Sequence, residues 1–203
     1  VEQNVRNIQQ CSRYLFEVFG IHDEGFASPG GTWNYELARA IDRTGMTYSS
    51  NITLDNGGFP YHPVYDGKRA RALEIPCNPI SDVAFDPHPQ PEDLQRLQAY
   101  YLSYVDQQIR THEPITILGH PHLSGRSADT FYSPIFEKIQ QRGIPVMTYH
   151  DFAHWWLQRE ASSLSVQVDG HHIVLGAVGA SSLVEIIYTS DRKIIPVDEK
   201  TVL

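Results

Sequence analysis

Residues 114–156 read PITILGHPHLSGRSADTFYSPIFEKIQQRGIPVMTYHDFAHWW. Ile115-Thr116-Ile117-Leu118 is a short apolar run rich in β-branched side chains, a strand signal. Gly119 ends it, and His120-Pro121-His122 opens a polar loop. An amphipathic segment follows, then a second apolar run, Ile144-Pro145-Val146-Met147, and a helix beginning near His150. Strand, loop, helix, strand, helix is the rhythm of a parallel sheet with crossover helices. In such sheets chemistry gathers at the carboxyl ends of the strands. His120 and His122 fall at one of those ends.

Toward the amino terminus the same rhythm recurs. Val5, Ile8, Cys11, Tyr14-Leu15, Val18 and Phe19 repeat at helical spacing over residues 4–19, and Gly20 is a natural stop. Gly25–Ser28 reads as a short strand, Pro29-Gly30-Gly31 as a tight loop, and NYELARAIDRTG as a helix that buries Leu37, Ala40 and Ile41. Met46–Ser50 is the next strand. Residues 51–90 differ: six prolines and Gly57-Gly58 leave little periodicity, interrupted by a strand at Ala72-Leu73-Glu74-Ile75. A loop of that length in a compact domain is usually functional or covers something. Residues 91–110 form a long helix with an apolar stripe of Leu94, Leu97, Tyr101, Val105 and Ile109. After Arg159 the texture alternates, with a hairpin signal at Asp169-Gly170 and β-like runs over 171–175, 183–188 and 193–197. The expected organisation is therefore an α/β domain over residues 1–160 and a small antiparallel β appendage over 161–203.

The bulk numbers narrow the function classes. A chain of 203 residues, 41% hydrophobic and 20% charged, has an ordinary globular composition. No run reaches the roughly 18–20 apolar residues of a membrane span. A net charge of −8 argues against a broad nucleic-acid surface, which needs clustered Lys and Arg. Cys11 and Cys77, the only cysteines, cannot form a four-thiolate metal site and read as small hydrophobes. The chain opens Val-Glu-Gln-Asn with no signal peptide visible, and so abrupt a start ahead of a helix suggests an upstream segment has been removed.

Several groups carry candidate chemistry. His120, at a strand end beside Gly119, suits a general acid or base, with a hydrogen-bonded loop histidine as the simpler reading. His150 and His154 share a helix face at a spacing that can hold zinc. Asp151-Phe152 follows His150 where the zincin pattern has Glu, so helix capping is the simpler role. Residues 26–34, FASPGGTWN, lead from a strand to a helix amino terminus that can bind an anion or line a pocket; they lack the Lys-Ser/Thr of a P-loop. His171-His172 reads as solvent-facing. Asp82 and Asp86 form a possible carboxylate couple in the proline-rich loop.

In order, these features resemble the second half of a polysaccharide deacetylase domain. Phe26-Ala27-Ser28-Pro29-Gly30-Gly31 with Asn34 resembles that family's Phe-Arg-x-Pro-x-Gly motif. Met46–Ser50 and Ala72–Pro76 resemble its following strands. Ile117-Leu118-Gly119-His120-Pro121 resembles its late Leu-x-His motif, and Ile144–Thr148 with Phe152–Trp156 its closing strand and helix. The resemblance covers about residues 1–160. It implies a distorted (β/α) barrel with mainly parallel strands, of which this chain is a portion. The implied activity is removal of acetyl groups from N-acetylated glycans by a divalent metal such as zinc. On this reading His120 is the general acid toward the leaving amine, and Pro29, Trp33 and Tyr48 line the substrate pocket. The family's metal-binding Asp and His-x-x-x-His, and its catalytic base, lie in earlier motifs. Ahead of Phe26 this chain has only His22 and Asp23, and Ala27 stands where the motif has Arg. The chain alone is thus expected to be inactive, with metal ligands supplied upstream. A non-catalytic carbohydrate-binding or structural relative is the alternative, and an unrelated α/β domain a third reading. An open sheet edge would be closed by a second chain, a dimer contact or the β appendage.

Overall fold

The computed structural model describes residues 1–52, 58–82, 90–120, 122, 125, 128–169, 172–178, 182–188, 191–197 and 201–202; side chains are described through 167, residue 128 excepted, and at Val174. Asp86, Pro121 and His171, singled out in the sequence, lie outside the described residues. The chain forms two compact units, Val1–His150 and Asp151–Leu203.

The first unit contains α1 (Glu2–Phe19), β1 (Gly25–Phe26), a 3-10 turn (Pro29–Gly31), α2 (Tyr35–Arg43), β2 (Tyr48–Ser49), β3 (Val64–Tyr65), β4 (Lys68–Arg69), β5 (Leu73–Glu74), α3 (Pro91–Thr111) and α4 (Ala128–Gln141). The apolar spacing of α1 buries Val5 and Ile8 against Leu37, Ala40 and Ile41 of α2, with Met46 and Ala72 completing that core. Gly20 ends α1 at φ +67°, where its N–H returns to the Phe16 carbonyl. Asn34 starts α2: its side chain accepts the Leu37 N–H at 2.8 Å.

β1, β2 and β5 make a parallel sheet in that order, with Gly25 opposite Tyr48 and Tyr48 opposite Leu73. The other edge of β5 is met inside the chain. Tyr61 forms an antiparallel bridge to Glu74, with bonds of 3.0 and 2.8 Å. Part of the edge expected to need a partner is thus covered locally. β3 and β4 form a hairpin turned by Asp66 and Gly67, both at positive φ. Asp42, at the end of α2, accepts from the Tyr65 hydroxyl at 2.7 Å and from the Arg71 and Ala72 N–H groups at 2.6 and 3.2 Å. That one carboxylate fastens the hairpin and the start of β5 to α2.

α3 and α4 enclose the second core, built on Leu97, Tyr101, Val105, Phe131, Ile135 and Ile139. Pro134 sits inside α4 and has no N–H, which leaves the Thr130 carbonyl without its helical donor. Gln98 of α3 fills that role, donating to Thr130 at 2.6 Å and to Phe131 at 3.2 Å. The helix interruption has become a cross-helix clamp.

Two expected strands lack a backbone ladder. Ile115 and Ile117 pack half-buried against the α3–α4 core. Their segment runs beside residues 78–82, where Pro79 has no N–H to give, and side chains bridge the two instead. At 144–147, Pro145 likewise lacks a donor, and the Ile144 N–H closes the end of α4 on Ile139 at 3.2 Å.

The second unit continues α5 (Tyr149–Ala161) into antiparallel strands. β6 (Ser163–Asp169) pairs with β7 (His172–Val178), β10 (Thr201–Val202) adds to β7, and β8 (Ser182–Tyr188) pairs with β9 (Asp191–Val197). Asp169 faces His172 across the expected hairpin. No helix among the described residues is long and apolar enough to cross a membrane.

The clamp on Thr130 and Phe131 predicts that Gln98→Ala destabilises the fold by about 0.5–1.5 kcal/mol, the net worth of the hydrogen bonds it removes. Urea unfolding of the variant and parent measures this; equal midpoints would show that water substitutes for the amide.

Candidate functional site at the carboxyl ends of the parallel strands

Two polar clusters lie where the parallel segments end. The first centres on Glu74, the last residue of β5, whose side chain is fully buried in an otherwise apolar strand. The Ser49 hydroxyl donates to its carboxylate. The Asn51 backbone N–H donates at 2.9 Å, and the Asn51 amide reaches both oxygens at 3.2 Å. The Asn51 side-chain oxygen Oδ1 in turn accepts the Ser28 N–H at 2.9 Å. A single chain of hydrogen bonds therefore crosses from β5 through β2 to the loop after β1. Burial pushes the Glu74 carboxyl above its usual value, and the donors from Ser49, Asn51 and Trp33 pull partly against it. The Trp33 indole N–H is buried with no hydrogen-bond partner; it lies near enough to the carboxylate to favour its ionised form, short of bonding geometry.

The second cluster comes from two segments that run side by side at a constant offset of 38 residues. The Asn78 N–H donates to Thr116 Oγ1 at 3.0 Å. Two residues on, the Tyr101 hydroxyl donates to the Ile80 carbonyl and lies 3.4 Å from that of Leu118. Two residues further, Asp82 meets His120. One carboxylate oxygen of Asp82 accepts the His120 backbone N–H at 2.6 Å, and the other lies 2.6 Å from His120 Nδ1. The Asp82 side chain is fully buried, while the imidazole is 37% exposed. An ionised carboxylate only accepts, so the bond places a proton on Nδ1. Burial of such a carboxylate is tolerated because both of its oxygens are bonded.

The residues expected to line the pocket are distributed as follows. Pro29 is exposed at the head of the 3-10 turn. Trp33 is half-buried beside Glu74. Tyr48 covers Gly25: a Cβ there would lie 2.2 Å from the Tyr48 ring. By strand alternation Tyr48 shares a face with Gly25 and Leu73, opposite Ser49 and Glu74. Trp33 therefore belongs to the Glu74 cluster and Tyr48 does not. Ala27, in the place of the motif arginine, is exposed. His122 is exposed, its ring 5.7 Å from that of His120. Asp82 was a candidate in the sequence, whereas Glu74 was read only as part of a strand; a glutamate inside an apolar strand was the signal available for it, and the fold supplies the partners of both. Asp82 was paired in the sequence reading with Asp86; its described partner is His120.

A catalytic divalent metal takes three or more His, Cys, Asp or Glu side chains converging on one point. Among the described residues of the first unit, no three such side chains bring ligand atoms within 4.8 Å of one another.

No family model matches the sequence, and no curated protein matches it. Among solved structures, the chain is similar to one described as a "putative polysaccharide deacetylase from Mycobacterium smegmatis". The TM-score is 0.64 at 16% identity, over 78% of this chain and 58% of that one. At that identity the likeness concerns the fold, a mixed α/β arrangement with a parallel sheet. The chain spans 58% of the length of the structure it matches.

Because the buried Glu74 has a raised pKa, the folded state holds its proton more tightly than the unfolded chain. Its contribution to stability is then greatest below pH 4.5 and falls as pH rises through the folded value. Glu74→Gln keeps the shape and removes the titration, so its stability should lose this decline above pH 4.5. Glu74→Ala leaves the Ser49 and Asn51 donors unpaired and should cost about 3 kcal/mol at neutral pH. Urea midpoints across pH check both; parallel curves for Gln and parent would mean Glu74 titrates alike in both states.

Proposed function

We propose that this chain is the C-terminal portion of a polysaccharide deacetylase-like hydrolase acting on N-acetylated glycans. Residues 1–160 would form part of a (β/α) barrel and 161–203 a β appendage. The observation that carries the reading is the buried Asp82 gripping His120 at both its backbone N–H and its Nδ1. The similarity in fold to a structure described as a polysaccharide deacetylase supports it.

In amide hydrolysis the C–N bond of the tetrahedral intermediate breaks, and the departing nitrogen must gain a proton. His120, protonated on both nitrogens, gives up the Nε2 proton to that nitrogen as the electron pair returns to it. Asp82 orients the ring and stabilises the imidazolium before transfer; afterwards it holds the Nδ1–H tautomer. The water that becomes part of acetate needs a base and a divalent metal, whose ligands in the family come from earlier motifs; ahead of Phe26 this chain has only His22 and Asp23. The non-catalytic, carbohydrate-binding reading draws on that same observation and on exposed Ala27 in place of the motif arginine.

The test is acetate release from acetylated chito-oligosaccharide by the longest form of the protein, with zinc, cobalt or nickel added. Absence of acetate with all three sinks the enzyme reading for this substrate class. Given activity, His120→Ala should lower turnover by roughly 100-fold or more. Asp82→Asn, which sets an amide against Nδ1–H, should lower it by roughly 10- to 100-fold. An unchanged rate in His120→Ala removes the histidine from the mechanism.

A further inference from the structure

The two sheets of the second unit have outer edges at β10, β6, β8 and β9. Three of these are blunted. β10 is two residues long. β8 carries Glu185, and β9 carries Asp191, Arg192, Lys193 and Pro196. Short length, charge and proline are the means by which natural edges refuse a further strand. β6 has none of them from Ser163 to Val168: it is seven residues long and uncharged up to Asp169. In the order β10-β7-β6 it stands at the edge, and no other described strand pairs with it. An edge strand turns backbone N–H and C=O groups outward at alternate residues. Leu164 and Val166 of the same strand are 47% and 59% exposed.

We propose that β6 docks a second copy of this chain: it pairs antiparallel with β6 of that copy about a two-fold axis at Val166. The order of residues in the strand fits it to itself. Pairing about Val166 sets Ser163 opposite Asp169 of the second copy, Leu164 opposite Val168, Ser165 opposite Gln167 and Val166 opposite Val166. Directly opposed residues share a face, so apolar residues meet on one face and polar residues on the other. A slip of one residue would set every apolar residue opposite a polar one. Charge is complementary as well. Asp169, the one charged residue of the strand, falls at opposite ends of the pair, about 20 Å from its mate. The axis uses up the β6 edge of both copies, so assembly closes at a dimer. Seven residues a side is well short of the roughly 20–30 of a standard interface, and the dimer should be weak, with Kd on the order of 10–100 µM. The pairing stands apart from the glycan reading and draws nothing from it.

Sedimentation velocity of the 203-residue chain tests this over about 5 to 500 µM, a range that brackets the expected affinity. It should show a monomer–dimer equilibrium. Val166→Lys, at an exposed position, sets two ammonium groups opposite each other. It should abolish the dimer and leave the circular dichroism spectrum unchanged. Cross-linking then checks the register, and decides the matter should Val166→Lys lose its fold. With the exposed Cys11 replaced by Ser, Val166→Cys places two thiols opposite each other at a Cα separation of about 4.5–5.5 Å, within disulfide reach. Leu164→Cys places its two about 14 Å apart along the strands, out of reach. Mild oxidation should give a covalent dimer from the first and not from the second. A monomer throughout the range overturns the proposal. So do polymers larger than a dimer, a dimer that a folded Val166→Lys leaves intact, and equal cross-linking at the two positions.

Discussion

A buried carboxylate organises the described part of the sheet. The three parallel strands are two residues each, and backbone bonds carry the β2–β5 pairing on to the Cys77 N–H and the Asn51 carbonyl. Glu74 reinforces that register. By accepting from Ser49 and from both the backbone and side chain of Asn51, it locks β5 to β2, and Asn51 passes the constraint to Ser28 after β1. Donors at every carboxylate oxygen offset the desolvation of the charge. The same residue receives the Tyr61 bridge on its outer edge and has the Trp33 indole beside it. One acid therefore ties together the loop after β1 and the sheet edge.

The other site is organised by the same device in a different place. Proline at 79 denies the 78–82 segment a regular ladder with residues 116–120, so Thr116, Tyr101 and Asp82 clip the two segments every second residue. The last clip is the Asp82–His120 pair. A structural register and a positioned imidazole are thus one arrangement, and a loss at Tyr101 or Thr116 would be felt at His120. Farther out, Gln98 answers the missing donor of Pro134, and Asp42 ties the 64–69 hairpin to α2. At Pro79 and Pro134 the broken backbone pattern is met by polar side chains from other elements.

The likeness to a solved structure concerns fold and covers little more than half of that protein. It fits a parallel α/β arrangement whose strand ends carry the polar groups.

Helices were legible in the sequence nearly to the residue. Their signals are local: apolar residues at helical spacing, Asn34 as a cap, Gly20 and Gly45 after the last turns. The paired strands at 25, 48 and 73 and the antiparallel run from 163 onward were legible for the same reason. The apolar runs at 115 and 144 had equal hydrophobic content, but whether such a run joins a ladder depends on its neighbour's donors, and the prolines decide that in three dimensions. Among site residues, His120 was visible from its place after an apolar run. Its partner was not, because Asp82 precedes it by 38 residues and nothing local marks the pair. Glu74 and Asn51, or Trp33 and Tyr61, are likewise brought together only by the register of strands and loops. Composition and periodicity determined which segments fold and which faces they bury; pairing of buried polar groups was a tertiary decision, since a hydrogen bond depends on distances of a few ångströms that sequence separation does not encode.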